Sequence, residues 1–93
     1  MNGEPKFKVG NTVATPGALR AMQQAGQGWI TFLDRHISGD WGDLETHDKT
    51  ANEVALRDGS RILSAYNLST GVTIWVITEA DRSSTCILLP GEY

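Results

Sequence analysis

Short, mostly apolar runs bounded by polar and turn-forming residues recur three times near the C-terminal end: Arg61-Ile62-Leu63-Ser64-Ala65-Tyr66, Val72-Thr73-Ile74-Trp75-Val76-Ile77-Thr78 and Thr85-Cys86-Ile87-Leu88-Leu89. Their length and the turn residues between them predict three consecutive β-strands, in which successive side chains point to opposite faces. In the second, Val72, Ile74 and Val76 share one face and Thr73, Trp75 and Ile77 the other. Both faces are apolar, which predicts a central strand covered on each side. Ser69-Thr70-Gly71 is suited to a hairpin loop, with glycine free to take a positive φ. Glu79-Ala80-Asp81-Arg82-Ser83-Ser84 links the second strand to the third.

Upstream the apolar spacing changes to that of helices. Thr15 is a good N-cap and Pro16 a good first helical residue. Leu19, Met22 and the alanines at 18, 21 and 25 continue a helix that Gly26 ends. A second helix is predicted from Trp29 to Ile37, with Trp29, Leu33 and Ile37 on one stripe and Ile30 beside it. Gly39 stops it, and Ser38-Gly39-Asp40-Trp41-Gly42-Asp43 is a turn. A third helix is predicted from Leu44 or Asp48 to Arg57, with Ala51, Val54 and Ala55 inward and Gly59 at its end. Phe7 to Ala14 reads as a short edge strand bent at Gly10-Asn11, and residues 1–6 as a loose tail. The expectation is one α+β domain over residues 7–93: a short N-terminal strand, two or three helices, then a three-stranded antiparallel meander with the helices packed on one sheet.

Ninety-three residues allow one modest core. An apolar content of 40% argues against disorder. The single cysteine, Cys86, excludes an internal disulfide and a cysteine-rich zinc site, and it reads as an inert strand residue. No apolar run approaches the ~20 residues needed to cross a bilayer, and the N-terminus lacks a signal peptide's apolar stretch, so a cytoplasmic address is expected. The net charge of −3 is uneven: residues 31–58 hold seven acids against Arg35, Lys49 and Arg57. Nucleic-acid affinity rests on basic residues near phosphates, so this acidic centre disfavours it. The acids fit a basic protein partner, or simply keep a small domain soluble.

Three constellations carry candidate chemistry. His36, Asp40, Asp43 and His47 would bind a divalent metal if they converged, but Gly39 and Gly42 break the spacing. Helix-end and turn roles account for His36, Asp40 and Asp43, and no metal or other cofactor is expected. His36, Arg61, Glu79 and Arg82, with Tyr66, resemble the equipment of a small metal-independent ribonuclease, with His36 or Glu79 as base and Arg61 or Arg82 stabilising the phosphorane charge. The plainer alternative is an ion pair between Glu79 and Arg82 across the turn. Trp41 lies between Asp40 and Asp43 in a glycine-flanked turn. It is either an anchor for a protein partner or a lid folded over the core.

The stretches Val13-Ala14-Thr15-Pro16-Gly17-Ala18-Leu19, Ser38-Gly39-Asp40-Trp41-Gly42-Asp43, Arg61-Ile62-Leu63-Ser64-Ala65-Tyr66 and Trp75-Val76-Ile77-Thr78-Glu79-Ala80-Asp81-Arg82-Ser83 together resemble a family of short bacterial proteins labelled hypothetical or "plasmid-related". The resemblance spans nearly all of the chain after residue 7 and implies a bacterial origin and a link to mobile elements. That family commonly carries an acid where this chain has His47. The resulting expectation is a small non-enzymatic binding protein that docks a protein partner, in a mobile-element or defence-modulating setting, with Asp40, Trp41 and Asp43 at the contact. A ribonuclease or related hydrolase is the alternative. A third is a self-associating module that pairs an exposed strand edge into a homodimer.

Overall fold

In the computed structural model, which describes residues 4–93, the chain forms β1 (Asn11–Ala14), α1 (Pro16–Ala25), α2 (Trp29–Ile37), α3 (Thr46–Asp58), β2 (Ile62–Asn67), β3 (Thr73–Thr78) and β4 (Ser84–Leu88), and ends in a 3-10 turn at Pro90–Glu92. Local chemistry sets these boundaries. The Thr15 hydroxyl accepts the Ala18 N–H at 3.1 Å and Pro16 occupies the first turn of α1. Gly26 closes α1 and Gly59 closes α3, both left-handed at φ 67° and 81°. Leu68 N–H bonds the Val72 carbonyl at 2.7 Å to close the β2–β3 hairpin.

The sheet has the order β1-β4-β3-β2. Neighbours are antiparallel except β1, which runs parallel to β4 in the register Asn11 to Ser84 through Ala14 to Ile87. The α+β class expected from the sequence is the one observed. The meander is extended by β1 into a mixed four-stranded sheet. That first strand is shorter than expected, because Gly10 at φ 61° lies against the backbone of Ser83, where any Cβ would collide. Phe7 and Val9 therefore precede the strand. Of the expected tail, Lys6 is tied by its N–H to the Ile37 carbonyl at 2.7 Å, and residues 1–3 lie outside the described residues.

α1 and α2 cover one face of the sheet. Their Ala18, Ala21, Met22 and Phe32 pack with Tyr66, Leu68, Ile74, Val76 and Ile87. The inward face of α2 differs from the expected stripe: Phe32 and His36 are buried, whereas Trp29 and Ile30 are exposed. Two stripes offset by about one residue compete on this helix, and the sheet selects the one whose Phe32 meets Tyr66 at a ring distance of 5.4 Å. α3 likewise turns Asn52 and Ala55 inward and leaves Ala51 and Val54 outside. The Asn52 amide sets that rotation by bonding both backbone groups of Leu63, at 2.7 and 3.2 Å. On the other face of β3, Trp75 borders α3 across a shallow cleft and the C-terminal 3-10 turn packs against the strand. Trp75 is half-buried beneath Tyr93, with ring centroids 5.9 Å apart.

Candidate functional site

The Asp40–Asp43 turn is bound to the outer side of β2. Ala65 donates its N–H to the Trp41 carbonyl at 3.2 Å, and its own carbonyl accepts the Asp43 N–H at 2.7 Å. This places Gly42 beside Ala65 as an isolated parallel bridge. Gly42 has φ 76°, and a Cβ there would collide with the Ala65 carbonyl and the Tyr66 ring. The polar residues secure the same attachment. Asp43 accepts the Asn67 N–H at 2.8 Å, and the Tyr66 hydroxyl donates to the Asp40 carbonyl at 2.7 Å. The Asp40 carboxylate takes the Gly42 N–H at 3.1 Å and pairs with Arg35 at 2.7 Å; its hydrogen bond with Arg35 holds it below the usual carboxylate range.

Trp41 is 4% exposed. Its indole N–H reaches Glu53 at 2.8 Å, and its ring closes a small core with Ala55 and Ile62, flanked by Phe7, Leu44 and Leu56. Of the two readings the sequence leaves open, the lid describes its position. Asp40 and Asp43 remain at the surface, but both carboxylates are engaged within the chain.

His36 is fully buried. Its Nδ1 lies 2.6 Å from the Ser64 hydroxyl and its Nε2 lies 2.9 Å from that of Thr78, one nitrogen donating and the other accepting. The chain of hydroxyls continues from Thr78 to Thr85 at 2.7 Å and ends on the Val9 carbonyl at 2.8 Å. Burial, and then the positive charge of Arg82, lowers the His36 pKa to about 3. The edge of Phe7 closes over the ring at 5.1 Å. A neutral imidazole with both nitrogens engaged by hydroxyls inside the core is not placed to exchange a proton with a substrate.

Of the other members of the proposed ribonuclease set, Arg82 lies near enough for its charge to act on His36, with Phe7 packed against both, but its guanidinium is engaged by backbone carbonyls. Arg82 takes a left-handed φ of 60° and donates to the carbonyls of Ser60 at 2.7 Å, Ala55 at 3.1 Å and Glu79 at 3.2 Å. It thus ties the β3–β4 turn to the end of α3, through the Glu79 backbone. Arg61 is exposed on the face away from His36 and stacks over the Tyr93 ring at 5.2 Å. A shallow cleft of about 340 Å³ beside it is lined by Leu44, Asp48, Ala51, Asn52, Leu63 and Trp75, so neither His36 nor Glu79 reaches it. His47 is exposed on α3 and lies 3.2 Å from Asp48, away from buried His36. Among the described residues no three side chains are grouped to hold a metal ion.

The surface at the opposite edge of the sheet escapes motif reading. Val13 is 54% exposed, Leu19 47%, Trp29 42% and Ile30 60%. A groove of about 210 Å³ runs between Thr12, Val13, Ala14, Leu19, Trp29 and Ile87. Beside it β1 is an edge strand, with β4 as its sole neighbour in the sheet among the described residues. One signal in the sequence marks this end. Between Lys8 and Asp34 the chain carries a single charged residue, Arg20. Charge depletion around exposed tryptophan is the compositional mark of an interface core.

No family model matches the chain, and no curated protein or solved structure matches it significantly. No described helix is long and apolar enough to cross a membrane.

Proposed function

We propose that this chain is a small non-enzymatic binding protein that docks a protein partner, and that the docking surface is the β1 edge with its apolar groove. One observation carries the reading: an unpaired strand edge without a charged residue lies beside exposed Val13, Leu19 and Trp29. An added strand gains backbone hydrogen bonds along such an edge, while the flanking groove selects its side chains. Contiguous exposed apolar surface of this kind is unusual on a solitary small domain. The Asp40-Trp41-Asp43 turn then has a supporting role, since it builds the far edge of the sheet. The bacterial setting and the link to mobile elements rest on the motif resemblance alone, and the cytoplasmic address on the sequence composition.

The test is affinity capture from nuclease-treated bacterial lysate with wild type and Thr12→Pro as baits. Proline at 12 removes an outward N–H and leaves the β1–β4 ladder intact. A stoichiometric protein held by wild type and lost by the variant, with unchanged circular dichroism, is the expected result. Equal capture by both baits moves the contact off this edge. Recovery of nucleic acid alone overturns the docking reading.

A further inference from the structure

The docking reading leaves the occupant of the β1 edge open, and the edge itself restricts the choice. Asn11 N–H bonds the Ser83 carbonyl at 3.0 Å and Thr15 N–H bonds the Ile87 carbonyl at 2.9 Å. Alternation along the strand therefore turns the backbone groups of Thr12 and Ala14 outward. We infer that this edge pairs antiparallel with the β1 edge of a second copy, about a twofold axis at Val13; the inference rests on the docking reading and names its partner.

A twofold axis at Val13 sets Thr12 opposite Ala14 of the copy, and Ala14 opposite Thr12. Both are hydrogen-bonded pairs, so every outward group of the strand core gains a partner. Val13 meets its own symmetry mate as a non-hydrogen-bonded pair, with Cα atoms about 4.5 Å apart. β-branched side chains pack well in such cross-strand pairs. On the helix side, Leu19 and Trp29 of both copies flank the same seam, so apolar surface is covered together with the edge.

Charge selects this face for self-contact. Each copy carries a net charge of −3, and Asp40, Asp43, Glu45, Asp48, Glu53 and Asp58 all lie on α3 or the turn before and at its end, beside β2. Two copies approaching through those surfaces repel each other. Through the β1 ends they meet with Arg20 the single charged residue between Lys8 and Asp34, and with one carboxylate, Glu92, engaged by the Thr15 hydroxyl and the Leu89 N–H just past the strand. β1 also lacks the lysine, proline or bulge that commonly blocks edge pairing. The far edge is different: the Gly42 turn is bound against Ala65 in the middle of β2. A copy can thus add to one edge and not to the other, which closes the assembly at two chains and prevents a fibre. The product is one continuous sheet in the order β2-β3-β4-β1-β1-β4-β3-β2.

The experiment is sedimentation equilibrium over a wide concentration range, paired with engineered cross-linking. Wild type is expected to rise from 10.1 kDa to twice that mass, while Val13→Lys and Thr12→Pro stay at 10.1 kDa with native circular dichroism. Val13→Cys is made in a Cys86→Ser background, because Cys86 is the ladder partner of Val13 and would compete for the new thiol. It is expected to give a disulfide-linked dimer under mild oxidation. Monomeric wild type at all concentrations, a dimer that persists in both edge variants, or no cross-link through residue 13 would each overturn the self-pairing. If wild type stays monomeric while Thr12→Pro still abolishes capture of a different protein, the docking reading survives and only the partner changes. If the edge variants alter neither mass nor capture, both readings fall.

Discussion

The two edges of this sheet are treated in opposite ways. At β2, a glycine-containing turn donates to and accepts from Ala65, aspartates take backbone N–H groups, and Trp41 is folded inward. At β1, the strand has no outer neighbour among the described residues, and apolar side chains stand in solvent beside it. The first edge holds most of the polar residues that look functional in the sequence, and they serve attachment. The second holds little charge and none of the side chains singled out for chemistry, and it exposes apolar residues beside an open strand edge. In this small domain the conspicuous polar motif supports the fold, and the plain stretch is the one left with exposed apolar side chains.

The largest effect that separates the edges is expected from Gly42→Ala. The left-handed φ costs about 1–2 kcal/mol for a non-glycine residue, and the collision with the Ala65 carbonyl adds the loss of both bridge hydrogen bonds. Urea denaturation should show a loss of about 3–4 kcal/mol. The matching change at the open edge, Thr12→Pro, should cost less than about 1 kcal/mol, because its N–H points away from β4. Comparable losses at both positions would mean that the edges are not built differently.

His36→Leu comes next, at about 2–3 kcal/mol, since it leaves the Ser64 hydroxyl without its ring partner and breaks the Thr78 bond. It also has a pH signature. The unfolded chain protonates His36 near 6.5, while the folded chain holds it neutral down to about 3. Its contribution is therefore fully present above about pH 6.5 and declines as pH falls toward 3, by at most about 1.4 kcal/mol per pH unit. The wild type should lose stability over that window, and the leucine variant should have a flatter profile. Equal slopes in the two would show that the imidazole is not held neutral inside the core.

The same residues show what could be read from the chain and what could not. Thr15-Pro16, Gly26 and Gly59 set helix ends through contacts within a few residues, so those boundaries and the α+β class were legible. The rotation of α2 was not, because it depends on Ser64 and Thr78, which lie 28 and 42 positions from His36. Trp29 was therefore assigned to the core by spacing and is exposed in the fold. The rotation of α3 depends in the same way on Asn52 reaching Leu63. The parallel pairing of β1 with β4 joins residues near the two ends of the chain, which no local pattern encodes. The candidate site was least legible. Motif reading searches for groups that react, whereas the open edge is marked by missing charge and unpaired backbone.

A smaller effect is expected from Trp41→Phe, which keeps the ring against Phe7 and Ala55 but removes the hydrogen bond to Glu53. A loss of about 1 kcal/mol in thermal or urea unfolding follows from one partly buried bond to a carboxylate. No change in association is expected, because the ring does not reach β1. If Trp41→Phe weakened partner binding while leaving stability intact, the contact surface would return to the Asp40–Asp43 turn and the contrast between the edges would collapse.

The smallest expected change in stability accompanies the largest expected change in behaviour. Val13→Lys replaces an exposed side chain on a strand whose ladder bonds to β4 are backbone only, so unfolding should shift by no more than about 0.5 kcal/mol. The charge is long and flexible enough to sit in water on the isolated chain. In an antiparallel pair centred on this residue, two ammonium groups would face each other across the closest positions of the ladder, where like charges are destabilising. Salt offers a further discrimination. If repulsion at Val13→Lys is what blocks pairing, raising ionic strength should partly restore the dimer, because exposed charges are screened over about 10 Å at 0.1 M salt and over less at higher salt. Thr12→Pro, which acts by removing a hydrogen-bond donor, should show no such recovery. Parallel salt responses in the two variants would separate association from the strand edge and place it on the surrounding apolar surface.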